Sequence, residues 1–293
     1  MSELKLQSRL IRWEEPNRGQ TKALHIASRG QRFSTVTGVA WLDEFRFVAN
    51  HQNGMKVALF DLRVGDVPVA MADLPYLTDG VAVRRVTETL FEVALSGCFK
   101  CAYLIFHINL DDAPSFRYVS FQAYSEKTFA HGVAYDHDGQ LWLACSTGAN
   151  TGVQQAERFW RLPATWGARG ICFDRRTSEA YMVAVSNTPK SIAYAPPDAS
   201  VWRMSPDTDE WHMVWRIENM HSDACQFHGD RLWMTDQMND RVLGVDLAGK
   251  QPIKALNSPL LDFPHGLSIS DQGMLAVTNY GGSSIALFDI RDV

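Results

Sequence analysis

A short pattern of polar and apolar positions occurs six times along the chain. Each copy starts with one polar residue, continues with glycine (alanine in one copy) and ends with a mostly apolar run. The copies begin at Thr37, Asp79, His131, Arg169, Asp223 and His265. The glycine positions lie 42, 52, 38, 54 and 42 residues apart. The mean spacing of about 46 residues is typical of one four-stranded propeller blade.

Two further β-rich runs follow the pattern. The second runs cover residues 45–50, 90–95, 141–145, 181–185, 232–236 and 275–280. The third runs cover residues 56–62, 102–110, 201–204, 241–247 and 284–290. Turns rich in Asp and Gly separate these runs, and the runs contain many β-branched and aromatic residues, which favour strands. No segment of helical length shows a period of about 3.6 residues.

These patterns predict an all-β chain folded as a six-bladed β-propeller, with residues 1–293 in a single domain. The sixth copy contains three runs, so we expect the N-terminal segment, around residues 23–28, to supply its fourth strand. That pairing would close the ring and cover an exposed strand edge. The fourth copy also contains a long segment, 186–200, with three prolines. Loops of that length often form lids over a site.

Residues 263–290, with the sequence FPHGLSISDQGMLAVTNYGGSSIALFDI, resemble one blade of a lactonase-type propeller. The six copies together resemble the calcium-dependent phosphotriesterase-like superfamily, which contains senescence marker protein/gluconolactonase, strictosidine synthase-like proteins and paraoxonases. The resemblance implies a site at one end of the central channel, commonly with a divalent metal. Gluconolactonase members carry Glu in the first blade, and Asn and Asp before later glycines. The matching positions here are Thr37, His131 or Arg169, and Asp223, so the usual metal-ligand set is altered.

The six residues before the glycine positions are the main candidates for chemistry. The first strand of each propeller blade lines the axial channel, so these side chains should form a ring near one channel mouth. Five of the six can carry charge. Two Asp, two His and one Arg around one axis require pairing or water, because isolated buried charges are costly. Such clusters are typical of functional sites.

Three hypotheses explain this ring. In the first, Asp79 or Asp223 orients His131 or His265, which then acts as general acid or base. Arg169 would bind a carboxylate, a phenolate or a developing oxyanion. In the second, His131, Asp223, His265 and Asp79 bind a divalent metal, the one cofactor that the sequence suggests. In the third, the ring is a solvated structural network.

A second layer of candidates lies near the ends of the second strands. The predicted substrate-binding residues are Thr37, Asn50, Cys145, Asp236, Asn279 and Tyr280. The alternative explanation for Asn50, Asp236 and Asn279 is that they cap turns, because Asn and Asp at strand ends form hydrogen bonds with their own backbone. His221, two residues before Asp223, is interpreted as a loop residue.

Charge and hydropathy narrow the classes of partner. The net charge is −5 and no basic run is present, which argues against nucleic-acid binding. No apolar stretch approaches the ~20 residues that span a bilayer, and no secretory signal is recognisable. Five cysteines without a regular spacing suggest reduced thiols in a cytoplasmic protein.

The sequence therefore predicts an enzyme that acts on a small-molecule substrate at the channel mouth. It would be a lactone or ester hydrolase, or a metal-independent cyclase, isomerase or lyase. The alternative is a non-catalytic propeller scaffold that binds a protein partner or a small ligand. The fold itself does not decide between them, because propellers support many functions.

Overall fold

The computed structural model describes residues 8–13, 15, 35–98, 100–111, 113–147, 150–187, 197–205 and 208–291. Within these residues the chain forms six four-stranded antiparallel sheets, the blades of a β-propeller. The predicted fold class is confirmed. In the described part of the chain the one short helical element is a 3₁₀ turn, Gln237–Asn239. No described helix is long and apolar enough to cross a bilayer.

The strands are numbered in chain order. The N-terminal strand is β1 (Ser8–Arg12). Blade one contains β2 (Val36–Trp41), β3 (Arg46–His51), β4 (Lys56–Asp61) and β5 (Pro68–Asp73). Blade two contains β6 (Thr78–Arg85), β7 (Leu90–Gly97), β8 (Ala102–Asn109) and β9 (Ser115–Ala123). Blade three contains β10 (Ala130–Tyr135), β11 (Leu141–Thr147), β12 (Asn150–Gln155) and β13 (Arg158–Arg161).

The remaining blades follow the same order from the axis outward. Blade four contains β14 (Trp166–Phe173), β15 (Ala180–Ser186), β16 (Ala199–Ser205) and β17 (Glu210–Ile217). Blade five contains β18 (Cys225–His228), β19 (Arg231–Asp236), β20 (Arg241–Asp246) and β21 (Gln251–Asn257). Blade six contains β22 (Pro264–Ile269), β23 (Met274–Asn279) and β24 (Ser284–Asp289), with β1 as its outer strand.

An N-terminal strand closes the ring, but it is a different segment from the one predicted. Strand β1 pairs antiparallel with β24, from Ser8 opposite Phe288 to Arg12 opposite Ser284. The predicted segment, 23–28, lies outside the described residues. The choice of β1 follows from its apolar residues, because Ile11 and the adjacent Trp13 are buried in the core shared by blades one and six.

Ile11 is therefore expected to be important for stability. It is fully buried, whereas its neighbour Arg12 is exposed. Replacing Ile11 with alanine should lower the free energy of unfolding by about 2–4 kcal/mol, through lost burial and a residual cavity. Chemical denaturation measures this loss. Arg12→Ala is the matched control and should change stability by less than about 0.5 kcal/mol. Equal stability of the two variants would show that β1 does not hold the ring closed.

The blades pack face to face through apolar side chains, and their inner strands meet closely at the axis. At that meeting point the repeated glycine has no room for a side chain. A Cβ atom on Gly132 would lie 2.4 Å from the carbonyl oxygen of Arg169, and one on Gly266 would lie 2.3 Å from that of Thr37. Glycine in the repeat thus allows the inner strand of one blade to contact the backbone of the next blade.

Candidate functional site

A backbone bulge points the polar residue of the repeat towards the axis. In blade one, Val36 pairs with His51 and Val39 pairs with Ala49, so Thr37 and Gly38 together oppose Asn50. Strands β6, β10, β14 and β22 carry register shifts at the same place. Bulges bend a strand and redirect a side chain, and they are common beside functional sites. Here they turn the polar residues into the channel.

Side chains of the second strands brace the bulges. Thr278 Oγ1 accepts a hydrogen bond from the Gly266 amide at 2.8 Å and donates one to the Thr37 carbonyl of the next blade at 2.7 Å. Ser96 and Thr235 make equivalent bridges in blades two and five. In blade one Asn50 accepts a bond from the Gly38 amide at 2.6 Å. Asn50, predicted to bind substrate, thus supports the backbone.

The channel contains a cavity of about 70 Å³ beside this ring. One water needs at least ~10–15 Å³ of such space, so the cavity is large enough for several waters or a small organic group. Polar wall residues come from the ring: Thr37, Asp79, His131, Asp223 and His265. Apolar wall residues follow the glycine positions: Val39, Val81, Val133, Ile171, Cys225 and Leu267. The cavity therefore joins ionisable groups to an apolar chamber.

His131 contacts both the Asp79 carboxylate and the Arg169 guanidinium of the ring. Its Nδ1 is 3.0 Å from Asp79 Oδ2. Arg169 Nη1 lies 2.9 Å from Nε2 and 3.1 Å from Nδ1 of the same imidazole. Burial and the positive charge of Arg169 lower the pKa of His131, and the Asp79 carboxylate opposes that shift. A neutral His131 with its proton on Nδ1, bonded to Asp79, satisfies this geometry.

His265 faces the same centre from the other side of the ring. Its Nδ1 is 3.2 Å from the Thr37 carbonyl oxygen, which can only accept, so Nδ1 carries a proton. Its Nε2 lies 3.6 Å from Asp79 Oδ1 and 3.8 Å from Asp223 Oδ2. The Tyr280 ring stacks on the imidazole at a centroid distance of 5.2 Å. Nε2 is thus the nitrogen of His265 that faces the two carboxylates.

Asp223 is held by a histidine that sequence analysis treated as a loop residue. His221 Nε2 lies 3.1 Å from Asp223 Oδ1, and Arg169 Nε lies 3.7 Å from the same oxygen. Burial acts to raise the pKa of Asp223, but His221, His265 and Arg169 together outweigh it and hold this pKa far below its usual range. His221 is buried in the loop before β18, as the sequence predicted, and its contact with Asp223 joins it to the ring. Its spacing of two residues from Asp223 is the signal that could have indicated it.

The low pKa of Asp223 makes stability depend on pH. Its carboxyl is deprotonated in the folded state at a pH where the unfolded chain, with a pKa near 3.8, already binds a proton. The stabilisation is therefore present above pH ~4 and decreases as pH falls below that value. We expect the difference in melting temperature between the wild type and Asp223→Asn to shrink between about pH 5 and pH 3. Asp138→Asn, at an exposed turn, is the control; a constant difference would contradict the assignment.

Two polar atoms of the ring have no hydrogen-bond partner among the described residues. They are Asp79 Oδ1 and Arg169 Nε. Asp79 is 3% exposed, so water does not readily reach its oxygen from outside the channel. Buried polar atoms without partners are uncommon in folded proteins and require an explanation. A ligand that donates to Asp79 and accepts from Arg169 would satisfy both.

Of the six predicted substrate-binding residues, Thr37 alone lines the channel cavity; Asn50, Cys145, Asp236, Asn279 and Tyr280 lie outside its wall. Cys145 is fully buried between blades, with its sulfur 3.5 Å from that of Cys101. Asp236 accepts a bond from Arg241 Nε at 2.7 Å, within the β19–β20 connection. Asn279 accepts one from the Asp262 amide at 3.0 Å. Asp236 and Asn279 stabilise turns and Cys145 packs in the core, so these side chains do not line the cavity, and substrate binding by them stays a prediction. Thr37 and Tyr280 do lie at the ring.

The four ring residues proposed as metal ligands do not form a ligand group. No three His, Cys, Asp or Glu side chains in the described ranges are arranged to hold a metal ion. Asp79 Oδ2 is instead paired with His131, and Asp223 Oδ1 with His221. The Arg169 guanidinium lies among them and supplies positive charge. This set of side chains does not fit a metal ion, and the chemistry proposed below uses none.

Comparison with known proteins adds information on the fold. No protein-family model and no curated protein matches the chain. A protein of unknown function from Bacteroides thetaiotaomicron has a similar structure, with a TM-score of 0.67, 12% identity, and coverage of 97% of this chain and 76% of that one. At this level of identity the likeness concerns the fold alone.

Two further similar structures are enzymes. The PQQ-bound aldose sugar dehydrogenase of Streptomyces coelicolor has a TM-score of 0.61 and 9% identity, over 96% of this chain and 98% of that one. Virginiamycin B lyase from Staphylococcus aureus has a TM-score of 0.57 and 10% identity, over 97% of this chain and 100% of that one. Propellers of this shape therefore support more than one kind of enzyme chemistry.

Proposed function

We propose that this protein is a small-molecule enzyme that performs metal-independent acid–base catalysis in the channel, as a lyase, isomerase or cyclase. The observation that carries the proposal is the pairing of Asp79 with His131, beside Arg169 and opposite His265. Each of these reactions needs a base to remove a proton, an acid to return one, and a group that stabilises negative charge. The ring contains all three: His131 and His265 line the cavity, and Arg169 contacts His131.

His131 is the proposed general base. Its lowered pKa keeps the imidazole neutral, and therefore able to accept a proton, at neutral pH. Asp79 fixes the proton on Nδ1 and stabilises the imidazolium that forms when Nε2 takes a second proton. Removal of a proton from carbon next to a carbonyl moves the electron pair onto the carbonyl oxygen. Arg169 is then the donor that stabilises this oxygen.

His265 is the proposed general acid. The Thr37 carbonyl fixes its tautomer, so that Nε2 delivers the proton into the cavity. Protonation of a leaving group gives elimination, whereas return of the proton to another carbon gives isomerisation. In ring formation the nucleophile attacks a carbonyl or imine carbon, and the same proton neutralises the oxygen or nitrogen that receives the electron pair. Asp79 and Asp223, on either side of Nε2, stabilise the charged imidazolium that this step requires.

Hydrolysis of a lactone or ester is the second candidate. It is favoured by the same contact between His131 and Arg169, because a base that activates water and a cation that stabilises an oxyanion can hydrolyse an acyl bond. The resemblance of the repeats to lactonase-type propellers also supports it. The two candidates differ in their product, which contains added water only in hydrolysis.

A screen in deuterated water tests the proposal. The wild type is incubated with a panel of carboxylic acids that carry a β-leaving group, keto acids, lactones and esters, and products are followed by NMR. For the first class of reactions we expect deuterium in substrate recovered at partial conversion, at the carbon that loses its proton, and in an isomerised product at the carbon that gains one. For the second we expect hydrolysed product without carbon-bound deuterium. Asp79→Asn should lower the rate by at least about a hundredfold, with Asp138→Asn as control. An unchanged rate in Asp79→Asn would contradict the proposal.

A further inference from the structure

A belt of apolar side chains follows the ring of ionisable groups along the channel. Each blade contributes the one residue that comes directly after the glycine position of its repeat. The six residues of this apolar belt are Val39, Val81, Val133, Ile171, Cys225 and Leu267. Each keeps between 4% and 9% of its surface accessible although it packs between blades, so a small face remains towards the channel. None of the six carries a charged side chain, and a buried thiol behaves as a small apolar group.

The size of the cavity limits what can lie against the apolar belt. The cavity volume is about 70 Å³. An apolar cavity of about 150 Å³ holds one benzene ring, so in proportion about three carbon atoms fit here. Among the described residues, the wall ends at the belt, because no residue further along the inner strands lines the cavity. The cavity is therefore short, with ionisable groups at one end and apolar side chains at the other.

We propose that the apolar belt binds the alkyl chain of a small aliphatic carbonyl compound, with the carbonyl group at the ring and a chain of up to about three carbons against the belt. The inference rests on the proposed function for the carbonyl end, and it adds a limit on the size of the substrate. A longer chain or an aromatic ring does not fit. The belt residues are then the ones that determine substrate specificity.

The physics of the belt favours an alkyl chain over water. A buried water needs two to four polar partners, and the aliphatic side chains of the belt offer none. Replacing poorly held water by an apolar group increases affinity, by about fourfold for each methylene group.

This gain ends when the chain is longer than the space beside the belt. Further carbons would have to displace side chains that already pack between blades, which is unfavourable. Affinity in a homologous series should therefore pass through a maximum. An open apolar surface would instead give affinity that keeps rising with chain length.

Primary amides of increasing length test this limit on the full chain. Acetamide, propanamide, butanamide, pentanamide, hexanamide and benzamide share one uncharged head group, so that only the carbon part changes. Binding is followed by NMR at the methyl groups of Val39, Val81 and Val133, which are assigned with the corresponding alanine variants. We expect millimolar dissociation constants for such small ligands. Affinity should rise about fourfold per carbon up to butanamide, and hexanamide and benzamide should bind at least about tenfold more weakly than butanamide.

Three substitutions complete the test. Val133→Ala removes two carbons from the belt and should make pentanamide or hexanamide the tightest ligand. Val81→Ile adds one carbon and should make propanamide the tightest. Val153→Ala is the matched control, because Val153 is fully buried on β12 of the same blade and does not line the cavity. It should leave butanamide as the tightest ligand, and the Val153 methyl groups of the wild type should not respond to any amide.

Thermal unfolding checks that each variant is folded, and the series on the wild type decides alone if one is not. Affinity that keeps rising through hexanamide would overturn the inference. So would the absence of any response to butanamide at the belt methyl groups. An unchanged order of ligands in a folded Val133→Ala would overturn it as well.

The binding series and the turnover assay can fail separately. If the series shows no maximum while Asp79→Asn loses turnover, the size limit is wrong and the acid–base function stands. If butanamide binds as expected while Asp79→Asn keeps full turnover, the alkyl-binding site stands and the proposed catalytic function is wrong.

Discussion

Replacing His131 with glutamine is expected to lower kcat by roughly 10²- to 10⁴-fold, the usual contribution of a general base. Glutamine is similar in size and still forms hydrogen bonds, so the channel should keep its shape. It does not accept a proton at Nε2, and the negative charge of Asp79 loses the imidazolium that it would stabilise. The effect should fall on kcat more than on KM, because Arg169 still binds the anionic part of the substrate. Steady-state kinetics on a substrate from the deuterium screen measures both.

The wild-type pH profile provides a second observation for the same residue. Burial and Arg169 lower the pKa of His131 from its ordinary value of 6.5. The active form is the neutral imidazole, so kcat/KM should stay high as pH falls to 6.5 and decline only below it. In His131→Gln this acidic limb should disappear. His212→Gln, at an exposed position, is the control and should behave as the wild type. Full activity of His131→Gln would exclude His131 as the base.

Replacing Gly132 with alanine is expected to destabilise the fold strongly. Its added Cβ would lie 2.4 Å from the Arg169 carbonyl oxygen and 3.0 Å from the Gly170 Cα. Both are backbone atoms of blade four, so relief requires that two inner strands move apart. We expect a loss of about 3 kcal/mol, which for a domain of this size lowers the melting temperature by roughly 6–12 °C. The same movement displaces Arg169 from His131, so turnover should fall as well.

Gly282 provides the matched control for this substitution. A Cβ atom there would meet only side-chain oxygens, Asp262 Oδ2 at 3.3 Å and Ser284 Oγ at 3.6 Å. Gly282→Ala should therefore change the melting temperature by no more than a degree or two. In blade five the equivalent position of the repeat is already an alanine, Ala224. If Gly132→Ala unfolds at the wild-type temperature, the close contact between blades is not a requirement of the fold.

The blade architecture could be predicted from the sequence because its signals are local. Turn residues, β-branched runs and a repeat of about 46 residues are all visible in one chain. The closing strand could not be located in the same way. Strand β1 is short, and its pairing with β24 depends on contacts 272 residues or more apart in sequence, such as Arg9 with Leu287. Nothing within the N-terminal segment itself distinguishes 8–12 from 23–28.

The ring of the site could also be predicted, because equivalent positions of a repeat come together by symmetry. Two residues of the predicted second layer, Asp236 and Asn279, lie one position beyond the residues that contact the glycine position. The bulge places two inner-strand residues opposite one residue of the next strand, which puts Ser96, Thr235 and Thr278 against the glycine position. Their neighbours Asp236 and Asn279 therefore point elsewhere. Since side chains alternate along a strand, a shift of one residue exchanges the two faces, and the bulge has no separate signature in the sequence.

His221 was missed for a different reason. It lies before β18, in the connection between blades, where the repeat gives no equivalent position in the other blades. Its role comes from one contact, that of Nε2 with Asp223 at 3.1 Å. Pattern analysis compares copies of a repeat and finds what they share. A residue that one blade alone contributes is not found by that comparison, and its spacing from a ring residue is then the remaining signal.

At the bulges, the side chains that line the channel differ from the groups that hold the backbone in place. In blades one, two and six, the glycine and a hydroxyl or amide of the neighbouring strand hold the bulge through backbone atoms. The residue before the glycine contributes its side chain to the channel and little to that framework. Thr, Asp, His and Arg already occupy this position within one chain. Six independently exchangeable positions on one scaffold allow new combinations of charge and shape to arise by single substitutions, so a propeller of this design can acquire a new chemistry while it retains its architecture.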